Sequence, residues 1–121
     1  MIEGIGLKVF EITEFNKIIN INKEKFINDI FTSEERKYCE KRNNGSLAVR
    51  FAAKIAWMKA TGEPDIFNFL DIEIVNDELG KPNIILYGEA LLFFNKMKLH
   101  ESILSLSHSK NIATAFVLLQ K

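Results

Sequence analysis

Three cations interrupt an apolar stretch of the sequence that runs from position 46 to position 62. Arg50 and Lys54 are one helical turn apart and would share a stripe of a helix, whereas Lys59 would lie on another side. Within this stretch and the five residues before it there are five Lys or Arg residues and no Asp or Glu. A buried cation without a carboxylate neighbour needs an anion from elsewhere. The alternative is that the long stems cover apolar surface while the charged heads reach water.

A second polar group, Ser105, Ser107 and His108, lies near the end of the chain. On a strand the two hydroxyls point the same way and can bind phosphate or backbone, while His108 points the opposite way. Hydroxyls beside a turn more often satisfy the turn itself. The sequence contains no nucleophile elbow, Walker loop, dinucleotide fingerprint or zinc-ligand spacing. With only His100 as the other histidine, no metal cluster is indicated.

Lys8 is the unusual residue of the first segment, which alternates like a strand. Gly4 and Gly6 lack side chains, so another backbone or a ligand can approach closely. The ordinary interpretation of Lys8 is a rim lysine on an edge strand, where a charge prevents aggregation.

The stretch from Ser46 to Gly62 predicts the helix that positions these cations. Ser46 is expected at its N-cap, and alanine, a strong helix former, recurs through it. Gly62 can end the helix by adopting the left-handed backbone conformation. Because apolar residues surround most of its circumference, the helix is expected inside the molecule or an assembly.

The remaining pattern predicts an α+β fold in which helices pack on a small, largely antiparallel sheet. At 121 residues the chain is expected to be one domain, residues 1–121. The predicted elements are a strand at 1–12, a helix capped by Thr13, a second short helix around 26–30, a helix from the capping box Thr32–Glu35 to about 42, a hairpin of strands 71–76 and 83–87, a helix at 89–98, and a hairpin of strands 102–108 and 112–119.

Composition limits the classes of partner. Sixteen cations balance sixteen anions, so no overall field favours nucleic acid or acidic lipid. The longest apolar run, Ala90 to Phe94, is too short to span a bilayer. The single cysteine, Cys39, excludes an internal disulfide and suits a reducing compartment, and no secretory signal is recognised. We therefore expect a cytoplasmic protein without nucleic-acid or membrane partners.

Five motifs occur in order along nearly the whole chain. They are Gly4-Ile5-Gly6-Leu7, Phe31-Thr32-Ser33-Glu34-Glu35 with Tyr38-Cys39, Arg50-Phe51-Ala52-Ala53-Lys54, Gly80-Lys81-Pro82 and Ser105-Leu106-Ser107-His108. These motifs resemble those of the holo-(acyl carrier protein) synthases, a family of 4'-phosphopantetheinyl transferases. The resemblance implies the 4'-phosphopantetheinyl transferase fold and a homotrimer that holds coenzyme A between neighbouring subunits. It also implies transfer of phosphopantetheine from coenzyme A to a serine of an acyl carrier protein, with magnesium, in fatty acid or polyketide biosynthesis.

The same resemblance assigns roles to individual residues. It implies that the nucleotide of coenzyme A and its phosphates lie near Arg50, Lys54, Ser107 and His108. It also implies that Lys59 lies beside the reacting pyrophosphate, as a catalytic residue.

Two departures from the family pattern affect its magnesium site. Lys8 occupies the position of an aspartate and Ile55 that of a glutamate, and these carboxylates are the family's magnesium ligands. Neither replacement side chain can supply the oxygen that Mg²⁺ requires, so we expect no metal ligand here. Two carboxylates and Mg²⁺ sum to zero charge, whereas Lys8 with Ile55 sums to +1. Coenzyme A binding is therefore expected to persist, with Lys8 as an electrostatic substitute.

Two functional hypotheses remain open. The first is a transferase whose activity is reduced or metal-independent, with Lys8 and Lys59 as its catalytic residues. The second is a non-catalytic homologue that binds coenzyme A or a carrier protein, or that pairs with a catalytic subunit. A nucleic-acid module is disfavoured by the zero net charge and the lack of an exposed aromatic platform.

Overall fold

Three antiparallel strands form the main sheet of the protein, for which a computed structural model describes residues 1–121. The strands are β1 (Ile2–Glu11), β4 (Glu101–His108) and β5 (Ile112–Gln120), in the order β1-β5-β4. A separate hairpin pairs β2 (Ile72–Asn76) with β3 (Pro82–Leu86). Every pairing is antiparallel, as the sequence predicts.

Five α-helices accompany the two sheets and confirm the α+β prediction. No helix has both the length and the hydropathy required to cross a bilayer. Two short 3-10 turns, Pro64–Ile66 and Phe69–Asp71, join the longest helix to β2. The helices are α1 (Ile12–Asn20), α2 (Lys23–Ile30), α3 (Ser33–Cys39), α4 (Asn44–Thr61) and α5 (Gly88–Lys96).

Helix α4 is the centre of the molecule, and 14 of its 18 residues are buried. Two contacts fix strand β1 against it. A Cβ atom on Gly6 would overlap the backbone carbonyl of Ala56, so only glycine permits this approach. Further along β1, the ring of Phe10 stacks on Phe51 with centroids 5.3 Å apart. The prediction of an interior helix is confirmed.

The ends of the helices agree only partly with the predicted caps. The Thr32–Glu35 capping box is present, and Gly62 ends α4 at a φ of 78°. The predicted caps at Thr13 and Ser46 are wrong: α1 continues directly from β1, and the Asn43 side chain caps α4 by accepting from the backbone N–H of Gly45. Asparagine at this position satisfies an orphan N–H and leaves Ser46 inside the first turn.

The face of the main sheet that points away from α4 is apolar and exposed. We call it the outer face. Leu7 and Phe116 are paired across β1 and β5, and they are 52% and 36% exposed. Successive side chains of a strand point to opposite faces of the sheet. Five exposed apolar residues that share the outer face are Ile5, Leu7, Val9, Ile103 and Phe116.

Candidate functional site

A cavity of about 520 Å³ lies at the N-terminal end of α4, and we call it the Arg50 pocket. Its walls come from α3, the first turns of α4, the β2–β3 hairpin and the end of β4. The end of a helix that presents free N–H groups favours an anion. The lining residues are Tyr38, Arg42, Asn43, Ser46, Val49, Arg50, Asn76, Gly80, Pro82, Leu106, Ser107 and His108.

Arg50 lies at the base of this pocket with only 3% of its surface exposed. One terminal nitrogen donates to the carbonyl oxygen and the hydroxyl of Ser46, at 3.2 and 3.0 Å, and the other donates to Oδ1 of Asn76. The guanidinium also lies 4.3 Å from the ring centroid of Tyr38. Its Nε is buried without a hydrogen-bond partner, and no carboxylate lies within 4.0 Å of the side chain. The pocket therefore holds a positive charge that the chain does not neutralise.

Arg42 adds a second guanidinium to the pocket. It lies 3.7 Å from the ring centroid of Tyr38, and it donates a 2.5 Å hydrogen bond to the Tyr38 carbonyl oxygen. Sequence reasoning did not single out this residue. Its position immediately before Asn43, the cap of α4, was the available signal, because a cation there lies beside any anion bound at the helix end.

Ser107 and His108 also line the Arg50 pocket, so three of the four residues predicted to contact the nucleotide come together. His108 packs against Gly45 in the first turn of α4, and Ser107 lies exposed at the rim. The roles of these residues toward coenzyme A stay predictions.

Lys54, the fourth residue of that set, lies elsewhere. Its ammonium is fully buried and donates to Glu35 Oε1 at 2.6 Å and to the carbonyl oxygens of Ile30 and Phe69 at 2.7 and 3.0 Å. The prediction of a cation without a carboxylate neighbour is wrong for this residue, because Glu35 reaches it from α3. All three N–H groups are satisfied, so Lys54 has no donor left for a phosphate. Burial lowers the pKa of Lys54, and the adjacent Glu35 carboxylate opposes that shift.

Two buried carboxylates, Glu35 and Glu73, join α3 to the β2–β3 hairpin. Glu35 Oε2 accepts from the backbone N–H of Ile74 at 3.0 Å. Glu73 accepts from the Thr32 hydroxyl at 2.5 Å and from the Tyr87 hydroxyl at 2.9 Å. The hydrogen bond to Glu73 raises the pKa of Tyr87. This network positions the hairpin that carries Asn76 into the Arg50 pocket.

Lys8 and Lys59 form a second cationic site, which we call the paired-lysine site. Lys59 is exposed, and its ammonium lies 3.4 Å from the carbonyl oxygen of Leu7. Lys8 is half-buried, faces α4, and holds its ammonium 4.6 Å from the ring centroid of Phe10. No carboxylate lies within 4.0 Å of either ammonium.

Ile55 belongs to the same site. Strand β1 is fixed to α4 where Gly6 meets Ala56 and where Phe10 stacks on Phe51. Lys8 lies between these two contacts on β1, and the half-buried Ile55 lies between them on α4. It is one helical turn before Lys59. The structure thus brings Lys59 together with the two positions at which the resemblance implies a substitution, Lys8 and Ile55.

The paired-lysine site does not fit a magnesium ion. Mg²⁺ is held by hard oxygen ligands, usually one or two carboxylates together with phosphates. Here the available side chains are two ammonium groups and an aliphatic group. No group of three or more His, Cys, Asp or Glu side chains that could hold a metal occurs in residues 1–121. The chain therefore provides positive charge at this site, but no metal cage.

The two cationic sites lie on opposite sides of α4. Arg50 and Lys59 are nine residues apart, and at about 100° per residue they point about half a turn away from each other. A ligand that contacts both within one chain would have to pass around the central helix.

With this geometry the chain falls into a known class: it belongs to the 4'-phosphopantetheinyl transferase superfamily, whose family description matches residues 4–117. The holo-[acyl-carrier-protein] synthase of Geobacter metallireducens is 38% identical over 125 residues, which cover 100% of this chain and 99% of that protein. The crystal structure of the Neisseria meningitidis holo-[acyl-carrier-protein] synthase matches with a TM-score of 0.90 at 32% identity and covers all of both chains.

A structure with a bound ligand is also similar. The holo-(acyl-carrier-protein) synthase of Bacillus anthracis, in complex with CoA (3',5'-ADP), has a TM-score of 0.81 and 36% identity, covering 100% of this chain and 98% of that one. The fold predicted from the resemblance is confirmed.

Proposed function

We propose that this protein transfers 4'-phosphopantetheine from coenzyme A to a serine of an acyl carrier protein. The serine oxygen attacks the phosphorus next to pantetheine, and a new P–O bond forms there. The bond from that phosphorus to the bridging oxygen breaks, so adenosine 3',5'-bisphosphate leaves and the serine proton passes to solvent. The full-length similarity to holo-[acyl-carrier-protein] synthases supports this reaction.

The Arg50 pocket is the observation that carries the proposal. A guanidinium that is 3% exposed, keeps an unpartnered Nε and lacks a carboxylate is a costly feature unless an anion binds there. The bisphosphorylated nucleotide of coenzyme A supplies such an anion. Arg42 and His108 lie beside it in the same cavity.

We also propose that the protein acts as a homotrimer. The outer face leaves Leu7 and Phe116 exposed, and an apolar patch of this kind is typical of an interface. Because the two cationic sites lie on opposite sides of α4, a coenzyme A held between neighbouring copies can reach the Arg50 pocket of one and the paired-lysine site of the next. We place the protein in the cytoplasm, which fits the free Cys39.

The proposed reaction is slower than in relatives that keep both carboxylates. A metal ion orients the attacking and leaving oxygens and stabilises their charge, and the paired-lysine site offers only monovalent cations. Loss of a positioned group that transfers protons lowers the rate by a factor on the order of 10² to 10⁴.

Mass spectrometry of an apo carrier protein tests the proposal. The carrier is incubated with coenzyme A, Mg²⁺ and the protein, and we expect a mass gain of one phosphopantetheine group with release of adenosine 3',5'-bisphosphate. An Arg50→Met variant that folds should lose this gain. If the carrier mass never changes, the transferase proposal is refuted.

A non-catalytic role is the second candidate, and the substitution of both carboxylate positions favours it. The same experiment separates the two: coenzyme A binding without any carrier modification supports a binding protein or the partner of a catalytic subunit.

A further inference from the structure

We propose that Lys8 contacts the pyrophosphate of coenzyme A in place of a divalent metal, so that this protein binds its substrate without magnesium. The inference rests on the proposed function, because it assumes coenzyme A as the ligand. It concerns only how the paired-lysine site holds the diphosphate.

The position of Lys8 is the first argument. On the face of β1 that meets α4, the neighbouring positions are Gly4 and Gly6, where any side chain would strike the helix backbone. Lys8 is the next residue on that face and the first whose side chain has room. Lys8 is half-buried and shares the site with Lys59, whose ammonium reaches the β1 backbone.

The charge of the site is the second argument. Two ammonium groups lie here without a carboxylate within 4.0 Å, and the Lys8 ammonium contacts the ring of Phe10. A cation near an aromatic ring remains free to donate to an anion on its other side. A diphosphate group carries the complementary charge and many acceptor oxygens.

The identity of residue 55 is the third argument. An isoleucine at the same level of α4 contributes neither an oxygen ligand nor a negative charge, so the Lys8 ammonium has no internal partner to compete with a phosphate.

Calorimetry with coenzyme A provides the main test, compared in Mg²⁺ and in excess chelator. We expect the dissociation constant to agree within about twofold between the two conditions, and Lys8→Met to weaken binding about tenfold or more through loss of one charge-assisted contact. Lys96→Met, which removes an exposed lysine on α5, is the matched control and should leave affinity unchanged. A chelator that weakens wild-type binding tenfold, or equal effects of the two variants, overturns the inference.

Electron paramagnetic resonance with Mn²⁺ adds a measurement that needs no variant. The intensity of the free Mn²⁺ signal in a mixture of Mn²⁺ and coenzyme A should stay the same when the protein is added. A further loss of signal in proportion to protein would reveal a metal site and contradict the inference.

The outcomes also separate this inference from the transferase proposal. Chelator-insensitive binding of coenzyme A without carrier modification refutes catalysis and leaves the role of Lys8 intact. Carrier modification by a protein whose coenzyme A binding weakens tenfold in chelator supports catalysis and refutes the role of Lys8.

Discussion

In the interior of this protein the ammonium of Lys54 lies 2.6 Å from a carboxylate oxygen of Glu35, and neither side chain is exposed to solvent. The pair joins α3 to the central helix α4. It belongs to the core of the fold, one turn away from Arg50, whose charge has no such partner.

Lys54→Met should therefore lower the free energy of unfolding by about 3–5 kcal/mol, because it leaves the Glu35 carboxylate buried without its cation. Urea unfolding measures the change. The double variant Lys54→Met with Glu35→Gln should lose less than the sum of the single variants, as expected for residues in contact. If Lys54→Met instead left the stability unchanged and abolished coenzyme A binding, Lys54 would be a ligand-binding residue.

Arg42→Met should weaken binding of adenosine 3',5'-bisphosphate about tenfold, or about 1.4 kcal/mol, since its guanidinium borders the Arg50 pocket. Isothermal titration calorimetry measures this affinity. The adjacent exposed Lys41, which does not line the pocket, supplies the control Lys41→Met. Equal effects of the two substitutions would indicate a diffuse electrostatic attraction and not a defined contact.

Phe116→Glu should convert the proposed trimer to monomers, because a carboxylate at the centre of the outer face would then have to be buried without a partner. Sedimentation velocity gives the oligomeric state, and coenzyme A affinity should fall with it. Leu92→Glu, which alters an apolar residue on α5 that is 62% exposed, should change neither property. A wild-type protein that sediments as a monomer at all concentrations would contradict the shared site.

Tyr87→Phe should destabilise the protein between pH 7 and about pH 9, because it removes the hydrogen bond to Glu73. That bond raises the pKa of Tyr87 above its ordinary value of 10.0, so its contribution is present below pH 10 and is lost as pH rises through the higher folded value. Urea unfolding as a function of pH should therefore show the two proteins converging above pH 10. A constant difference across that range would exclude this linkage.

Lys8→Asp combined with Ile55→Glu should create transfer that depends on magnesium, because the pair places two carboxylates where the family resemblance implies magnesium ligands. Each single substitution should do little, since one carboxylate does not complete the site. The rate of carrier modification with and without Mg²⁺ measures the effect. A double variant that folds, binds coenzyme A and stays inert would show that the lost ligands do not limit catalysis.

Local pattern was sufficient to predict most of the fold. The buried α4 follows from apolar residues around its whole circumference, and the capping box at Thr32 from two residues three positions apart. The misplaced N-cap of α4 shows the limit of such patterns: Asn43 and Ser46 are both good caps, and only tertiary packing decides between them.

The candidate site was harder to predict because its charges are settled by residues distant in sequence. Lys54 appeared unpaired because its partner Glu35 lies 19 positions earlier and arrives on a different helix. Arg42 was missed because its place in the pocket depends on a turn between α3 and α4. The strand pattern singled out Lys8, but only the family resemblance connected Lys8 and Ile55 with a magnesium site, since an edge-strand lysine is ordinary by itself.

Transfer in the presence of a chelator tests most directly whether this chain catalyses without a metal. Apo carrier protein, coenzyme A and the protein are incubated with excess chelator, and the carrier is weighed by mass spectrometry. We predict a slow gain of one phosphopantetheine group at the same rate with and without magnesium. A gain that appears only when magnesium is added, or no gain in either condition, would contradict metal-free transfer.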